Sequence, residues 1–201
     1  MDITIIGASD MFARSFTIWA VANGHKVTTV GPAFEKPEAF RKSVGAAKAF
    51  GRHEPLQDNM IFIALPFDCL LDVLQSYEPV NFKDKIVVDL TIPFDFTTFE
   101  PIHPKAGSAA QEITKVVDAS VVKAFYPKFA NALAATSTIA KEIHNILLAG
   151  DDDVAKRVVA KFFKDGGLHP LDVGPLRRAK ELESLGYLHI AERQPNLLKL
   201  A

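Results

Sequence analysis

Residues 2–31 read DITIIGASDMFARSFTIWAVANGHKVTTVG. Residues 2–7 are a short β-branched run ending at a glycine, the pattern of a buried strand closed by a turn. Residues 11–22 carry Phe12, Phe16, Trp19 and Ala20 near one face of a helix, and Asn23-Gly24 stops it. Residues 26–30 form a second strand, closed by Gly31-Pro32. Strand, glycine turn, helix and strand make one βαβ unit.

The pattern repeats outward. Residues 37–50 read as a helix with a short strand near its end. Residues 60–65 (MIFIAL) are an apolar strand stopped by Pro66, 67–75 a helix, and 85–90 (KIVVDL) a strand ended by Thr91-Ile92-Pro93. A long loop with several prolines comes next. Residues 121–125, 145–149 and 169–173 supply three more strands, with helices over 154–164 and 178–193. Continuous apolar strands alternating with helices call for a parallel sheet covered on both faces. The predicted fold is α/β: a Rossmann-type, doubly wound, mostly parallel sheet of about eight strands, in a single domain over residues 1–201.

Composition narrows the function. The 201 residues are 48% hydrophobic and 23% charged, an ordinary globular balance. Lys plus Arg number 23 against 24 Asp plus Glu, a net charge of -1. Nucleic-acid binding needs a concentrated basic surface, so no nucleic-acid partner is expected. The one cysteine, Cys69, has no partner for an internal disulfide. There is no basic leader before an apolar stretch and no apolar run of membrane-spanning length. The expected location is cytoplasmic, with no membrane contact.

Ligands of doubly wound sheets bind beyond the strand C-termini, so the turns at Gly7, Gly31, Leu65, Thr91 and Phe125 decide the chemistry. The first turn, Gly7-Ala8-Ser9-Asp10-Met11-Phe12, joins a strand to a helix start, where backbone N–H groups can face a pyrophosphate. Of the usual glycines only Gly7 is present; Ser9, Asp10 and Ala13 stand where others would fall. Asp10 also reads as a helix N-cap. Its charge opposes a phosphate unless capping or Arg14, one helical turn on, holds it aside. The second turn, VTTVGPAF over residues 27–34, has no acid until Glu35. An acid there would bond a free ribose 2′-OH, so its absence tips the expected cofactor to NADP(H). Thr29 and Lys36 are the nearby groups for a 2′-phosphate.

Longer stretches carry a resemblance. VVKAFYPKFANAL (121–133), ILLAGDDDVAKRVVAKFFKDGGLHPLDVGPLRRAKELESLGYLHI (146–190), IALPFDCLLDVL (63–74) and KIVVDLTIPF (85–94) are collinear with one family. The chain resembles the NADPH:deazaflavin oxidoreductases (coenzyme F-420 reductases), whose nucleotide domain is also similar to that of the six-transmembrane metalloreductases. The resemblance implies hydride transfer between the nicotinamide C4 and a flavin-like acceptor. It implies that Gly7 to Phe12 hold the pyrophosphate and that Gly31 and Pro32 flank the adenosine ribose. Leu65, Pro66 and Phe67 would line the cofactor channel, and Thr91, Ile92, Pro93, Ala124 and Phe125 the nicotinamide end. The chain departs from the family at GASDMFA, which replaces a glycine-rich loop, and at Pro32-Ala33, which replace a Ser-Arg pair. Tyr126 and Ile92 each stand in place of an asparagine. Tyr126 borders the acceptor side, where it would stack on a ring, donate a proton or simply pack.

The remaining polar residues add little. The six histidines show no metal-ligand spacing, so no metal is expected. His103 reads as surface and Cys69 as a structural thiol. Asp151-Asp152-Asp153 opens a helix and reads as capping and dipole complement. The sequence thus reads as an NADP(H)-dependent oxidoreductase acting on a small hydride acceptor, with no catalytic side chain assigned. The alternative is a non-catalytic dinucleotide sensor, or an interaction protein with a degraded loop. The apolar stretch LHIAERQPNLLKLA (188–201) points to a homodimer.

Overall fold

In the computed structural model, which describes residues 1–7, 11–31, 37–51, 56–125 and 145–191, the central strands are buried on both faces, with successive side chains alternating between two core clusters. In β1 (Asp2–Ile6), Ile3 and Ile5 join one core cluster and Ile6 the other, all fully buried. In β4 (Met60–Ile63), Met60 and Phe62 face the first cluster, Ile61 and Ile63 the second. A strand apolar on both sides is stable only between two helical layers.

Both layers are present. α1 (Met11–Ala22), α2 (Pro37–Val44) and α5 (Asp153–Asp165) cover one face through Phe16, Val44, Phe162 and Phe163. α3 (Phe67–Gln75), the short α4 (Ala109–Ile113) and α6 (Ala179–Ala191) cover the other through Leu70, Val73, Leu74, Ile113 and Ala179. The first face is centred on rings: Phe16 lies 4.7 Å from Phe62, Phe62 4.9 Å from Phe162, and Phe162 5.1 Å from Phe163, between centroids. These tilted and edge-on pairs tie α1, β4 and α5 together.

The remaining strands are β2 (Lys26–Val30), β3 (Lys48–Phe50), β5 (Lys85–Asp89), β6 (Ala119–Phe125), β7 (Asn145–Gly150) and β8 (His169–Asp172). All eight form one sheet in the order β3-β2-β1-β4-β5-β6-β7-β8. β1 to β6 are parallel, β7 runs antiparallel to β6, and β8 is parallel to β7. The first six strands have the doubly wound dinucleotide-fold order, with its switch point between β1 and β4. This is the predicted mostly parallel Rossmann-type sheet of eight strands.

One expectation is borne out in detail and one is corrected. The helix with a short strand near its end expected over 37–50 is present, and the helix stops at Val44 because Gly45 turns to φ +73° and the Ala46 amide donates back to the Arg41 carbonyl at 3.1 Å. That is a glycine C-terminal cap, and the strand follows it. The long loop after β5 is organised, with a hairpin-like turn over 93–102 and then α4. Ser108 caps α4, its hydroxyl accepting from the Gln111 amide at 3.1 Å.

Candidate functional site

The register brings the expected turns to one edge. Ile6 stands beside Val30 and Ile63, Ile63 beside Asp89, and Asp89 beside Lys123. The chain therefore leaves β1, β2, β4, β5 and β6 side by side at Gly7, Gly31, Ala64-Leu65, Leu90-Thr91 and Phe125. Ala8, Ser9, Asp10, Pro32, Lys36 and Tyr126 lie outside the described residues. Met11 and Phe12 open α1 and Phe125 ends β6.

Gly7 sits at the switch point with φ +104° and donates to the Val30 carbonyl at 2.8 Å. A Cβ there would meet the Ala64 carbonyl oxygen at 2.3 Å and the Leu65 side chain at 2.7 Å. The glycine is thus required by how closely the β4 exit crosses the β1 turn. Gly31 is buried and donates to the Phe50 carbonyl at 3.2 Å. Leu65 packs in the second core cluster, Pro66 is the N-cap of α3, and Phe67 is half-buried against the same cluster. Ala124 is buried against the first cluster. Thr29 leaves the list of 2′-phosphate candidates: it is fully buried, and its hydroxyl donates to the Lys48 carbonyl at 3.3 Å. Arg14 donates to the Ser43 hydroxyl of α2 at 2.9 Å.

Behind the Thr91 turn lies a buried charge cluster. Lys123 points from β6 to the same sheet face as Asp89 of β5. Its Nζ is 2.9 Å from Asp89 Oδ2 and 3.4 Å from Glu183 Oε1 of α6, with both lysine and aspartate fully buried. Lys123 also donates to the Thr91 carbonyl, and Asp89 Oδ1 accepts from the Thr91 amide at 2.8 Å. Both backbone polar groups of Thr91 are thus held by charged partners, whose hydrogen bonds are the strong ones. Glu183 accepts in addition from the Ala109 and Ala110 amides at 3.1 and 3.3 Å, at the start of α4. Ile92 packs beside Ala149 and Leu182, and Pro93 is buried. The Thr91 hydroxyl is buried and has no hydrogen-bond partner among the described residues.

These three charged residues were not singled out from the sequence, although a signal exists. A lysine inside the apolar strand VVKAF must find an anion if it is buried. Burial pushes the Glu183 carboxyl above its ordinary value of about 4.5, and Asp89 pushes the same way, while Lys123 and the two amides oppose it. A carboxyl raised in the folded chain stabilises it fully below the unfolded value, and this contribution is lost as pH climbs through the folded value. Wild type is therefore expected to lose stability relative to Glu183→Gln as pH rises above about 4.5. Urea midpoints below and above that pH check it; parallel profiles would show that Glu183 titrates alike in both states.

The acidic run lies at the other end of the sheet. Antiparallel β7 sets Gly150 beside Val122 and Leu147 beside Phe125, so Asp151 to Asp153 emerge at the far edge. Asp152 caps α5, accepting from the Val154 and Ala155 amides at 2.8 and 3.0 Å. Asp151 accepts from the Leu176 amide at 2.9 Å, and Asp153 pairs with Lys156 at 3.1 Å. Among the described residues no group of three metal-ligating side chains occurs, and no helix is long and apolar enough to cross a membrane. His103 is exposed, and the half-buried Cys69 thiol lies 3.5 Å from the Pro66 carbonyl.

No family model matches the chain. Metalloreductase STEAP3 of Rattus norvegicus is 28% identical over 183 residues, covering 91% of this chain and 36% of that protein's length. Among solved structures, a protein of Arthrobacter sp. FB24 to which an F420-dependent NADP-reductase activity is ascribed superposes with a TM-score of 0.78. It is 22% identical, over 96% of this chain and 93% of that one. The 3-hydroxyisobutyrate dehydrogenase of Mycobacterium tuberculosis matches with a TM-score of 0.63 and 15% identity, over 97% of this chain and 62% of that one. At these identities the structural likeness establishes the fold: the chain has the architecture of Rossmann-type dinucleotide-binding proteins.

Proposed function

We propose that the chain is an NADP(H)-binding oxidoreductase that transfers hydride between the nicotinamide and a flavin-like or other small acceptor. The observation that carries this reading is the meeting of five strand ends on one edge, around the β1–β4 switch point where doubly wound sheets take dinucleotides. The rat metalloreductase supports it as a relative, and the Arthrobacter protein and the dehydrogenase as structural neighbours. The residues present fit such a cofactor. The Thr91 hydroxyl, buried without a partner on that edge, is the kind of group a ligand's polar atom satisfies.

In this reading, Gly7 to Phe12 offer backbone amides to the pyrophosphate, and Gly31 and Pro32 flank the ribose. Leu65, Pro66 and Phe67 line the channel. Thr91, Ile92, Pro93, Ala124 and Phe125 border the nicotinamide, and Tyr126 the acceptor. When bound, the nicotinamide supplies a hydride from C4 that, with one proton from solvent, reduces the acceptor by two electrons. The chain's own task is alignment of donor and acceptor. The Lys123–Asp89 pair serves it by fixing the Thr91 backbone. The same proposal takes residues 1–201 as one cytoplasmic domain working as a homodimer.

Fluorescence titration tests the cofactor. With no acid ending β2, NADPH is expected to bind about two- to tenfold tighter than NADH. A preference for NADH overturns the cofactor choice, and binding of neither overturns the reading. Binding without oxidation by any flavin acceptor would overturn the flavin-like acceptor and favour the dinucleotide-sensor alternative.

A further inference from the structure

We propose that the aromatic hairpin following β5 is a stacking site for the planar heteroaromatic ring of a hydride acceptor; this deepens the oxidoreductase reading and rests on it. The hairpin leaves the candidate edge directly from the Thr91 turn. Phe94 bridges Pro101 across two antiparallel arms, the Ile102 amide donates to the Pro93 carbonyl at 3.1 Å, and the Asp95 amide donates to the Glu100 carbonyl at 2.9 Å. The tip is locked by Asp95, whose Oδ1 accepts from the Thr97 and Thr98 amides at 2.7 and 2.8 Å. Those two amides hold the Asp95 carboxyl below its ordinary value.

This rigid tip holds rings in unfavourable places. Phe99 has φ +58°, a left-handed conformation that a bulky residue rarely adopts. Phe96 is 52% exposed, the only aromatic among the exposed large hydrophobic side chains of the described residues. Its ring centroid lies 4.3 Å from that of Phe94, itself buried, and Phe99 stacks on Phe94 from 6.3 Å. The three rings form a shelf with its outer member in water. Backbone strain kept in place by a dedicated cap is characteristic of ligand clamps.

Position names the occupant. Phe96 is three residues beyond Pro93, so its Cα lies within roughly 11 Å of the turn assigned to the nicotinamide end. A hydride acceptor must bring its ring to that end. A flat heteroaromatic ring stacks on an exposed phenyl face whatever its substituents. The rings themselves are uncharged and the adjoining Asp95 and Glu100 are acidic, so the shelf favours a ring over phosphates or carboxylates.

Riboflavin is the probe, its fluorescence quenching titrated with and without saturating NADP⁺ in wild type, Phe96→Ala and Phe96→Tyr. NADPH binding is titrated separately in each. Phe96→Ala is expected to weaken riboflavin about tenfold. Phe96→Tyr, which keeps the ring, should stay within about twofold of wild type, as should NADPH binding in all three. Riboflavin affinity indifferent to Phe96→Ala, or absent in wild type, overturns the proposal. So does a dimer that Phe96→Ala turns into a monomer in sedimentation, because the shelf would then be a subunit contact. If NADPH fails to bind while riboflavin keeps its dependence on Phe96, the shelf stands and the cofactor reading falls.

Discussion

Replacing Lys123 with alanine is expected to remove about 3–5 kcal/mol of stability, because it leaves buried carboxylates without their cation. Asp89 and Glu183 both lie against the lysine ammonium, and none of the three reaches solvent to any useful extent. Domains of this kind are stable by only about 5–15 kcal/mol, so the variant is expected to sit near the limit of folding at room temperature. Urea denaturation followed by circular dichroism measures the loss. Lys123→Met keeps the packing volume and removes only the charge, so it should fall in the same range. A Lys123→Met protein within about 1 kcal/mol of wild type would show that packing, rather than pairing, holds this part of the core.

Gly7→Ala is the second large effect. It places a side chain on a residue at φ +104° and drives its Cβ to 2.3 Å from the Ala64 carbonyl oxygen. Left-handed strain and overpacking each contribute about 1–3 kcal/mol, so the sum is about 2–6 kcal/mol. Gly24→Ala separates the two terms. Gly24 has φ +78° but nothing within 4 Å of its Cβ position, so it should show the strain alone, about 1–2 kcal/mol. Equal losses at the two glycines would mean that the β4 exit gives way easily and that the crossing at the switch point is loose.

The two glycines also show what the sequence could be read for. The turn at Gly7 was legible because an apolar run ended there at a helix start. The sheet order followed from repeated βαβ units, whose strands lack the polar alternation of a half-exposed sheet. The five strand ends on the candidate edge were legible for the same reason, since parallel strands all stop on one side. α4 was not, because five residues are too few to show a period, although Ser108 and Gln111 have the spacing of a capping pair. Nor was the charged cluster. Lys123 and Asp89 are separated by 34 residues, and Ala109 and Glu183 by 74. A buried lysine announces that it needs an acid, but spacing cannot say which one. Thr29 failed in the opposite direction: its place at the end of β2 suited a phosphate ligand, but the β2–β3 pairing buries it and uses its hydroxyl.

The long separation between Ala109 and Glu183 has a consequence for the order in which the chain matures. A ribosome releases residues in sequence, at about 5–20 per second, and each domain settles as its partners emerge. Asp89, Ala109 and Lys123 all leave well before Glu183 does. Until then the first amides of α4 lack their acceptor, and the lysine lacks its second counter-charge. Contacts so distant in sequence form late, because the loop must close before they are rewarded. The start of α4 and the second carboxylate beside Lys123 are therefore completed by a segment made well after both. A nascent chain that has completed all of β1 to β6 already holds Asp89, Thr91 and Lys123, but the first amides of α4 still wait for Glu183.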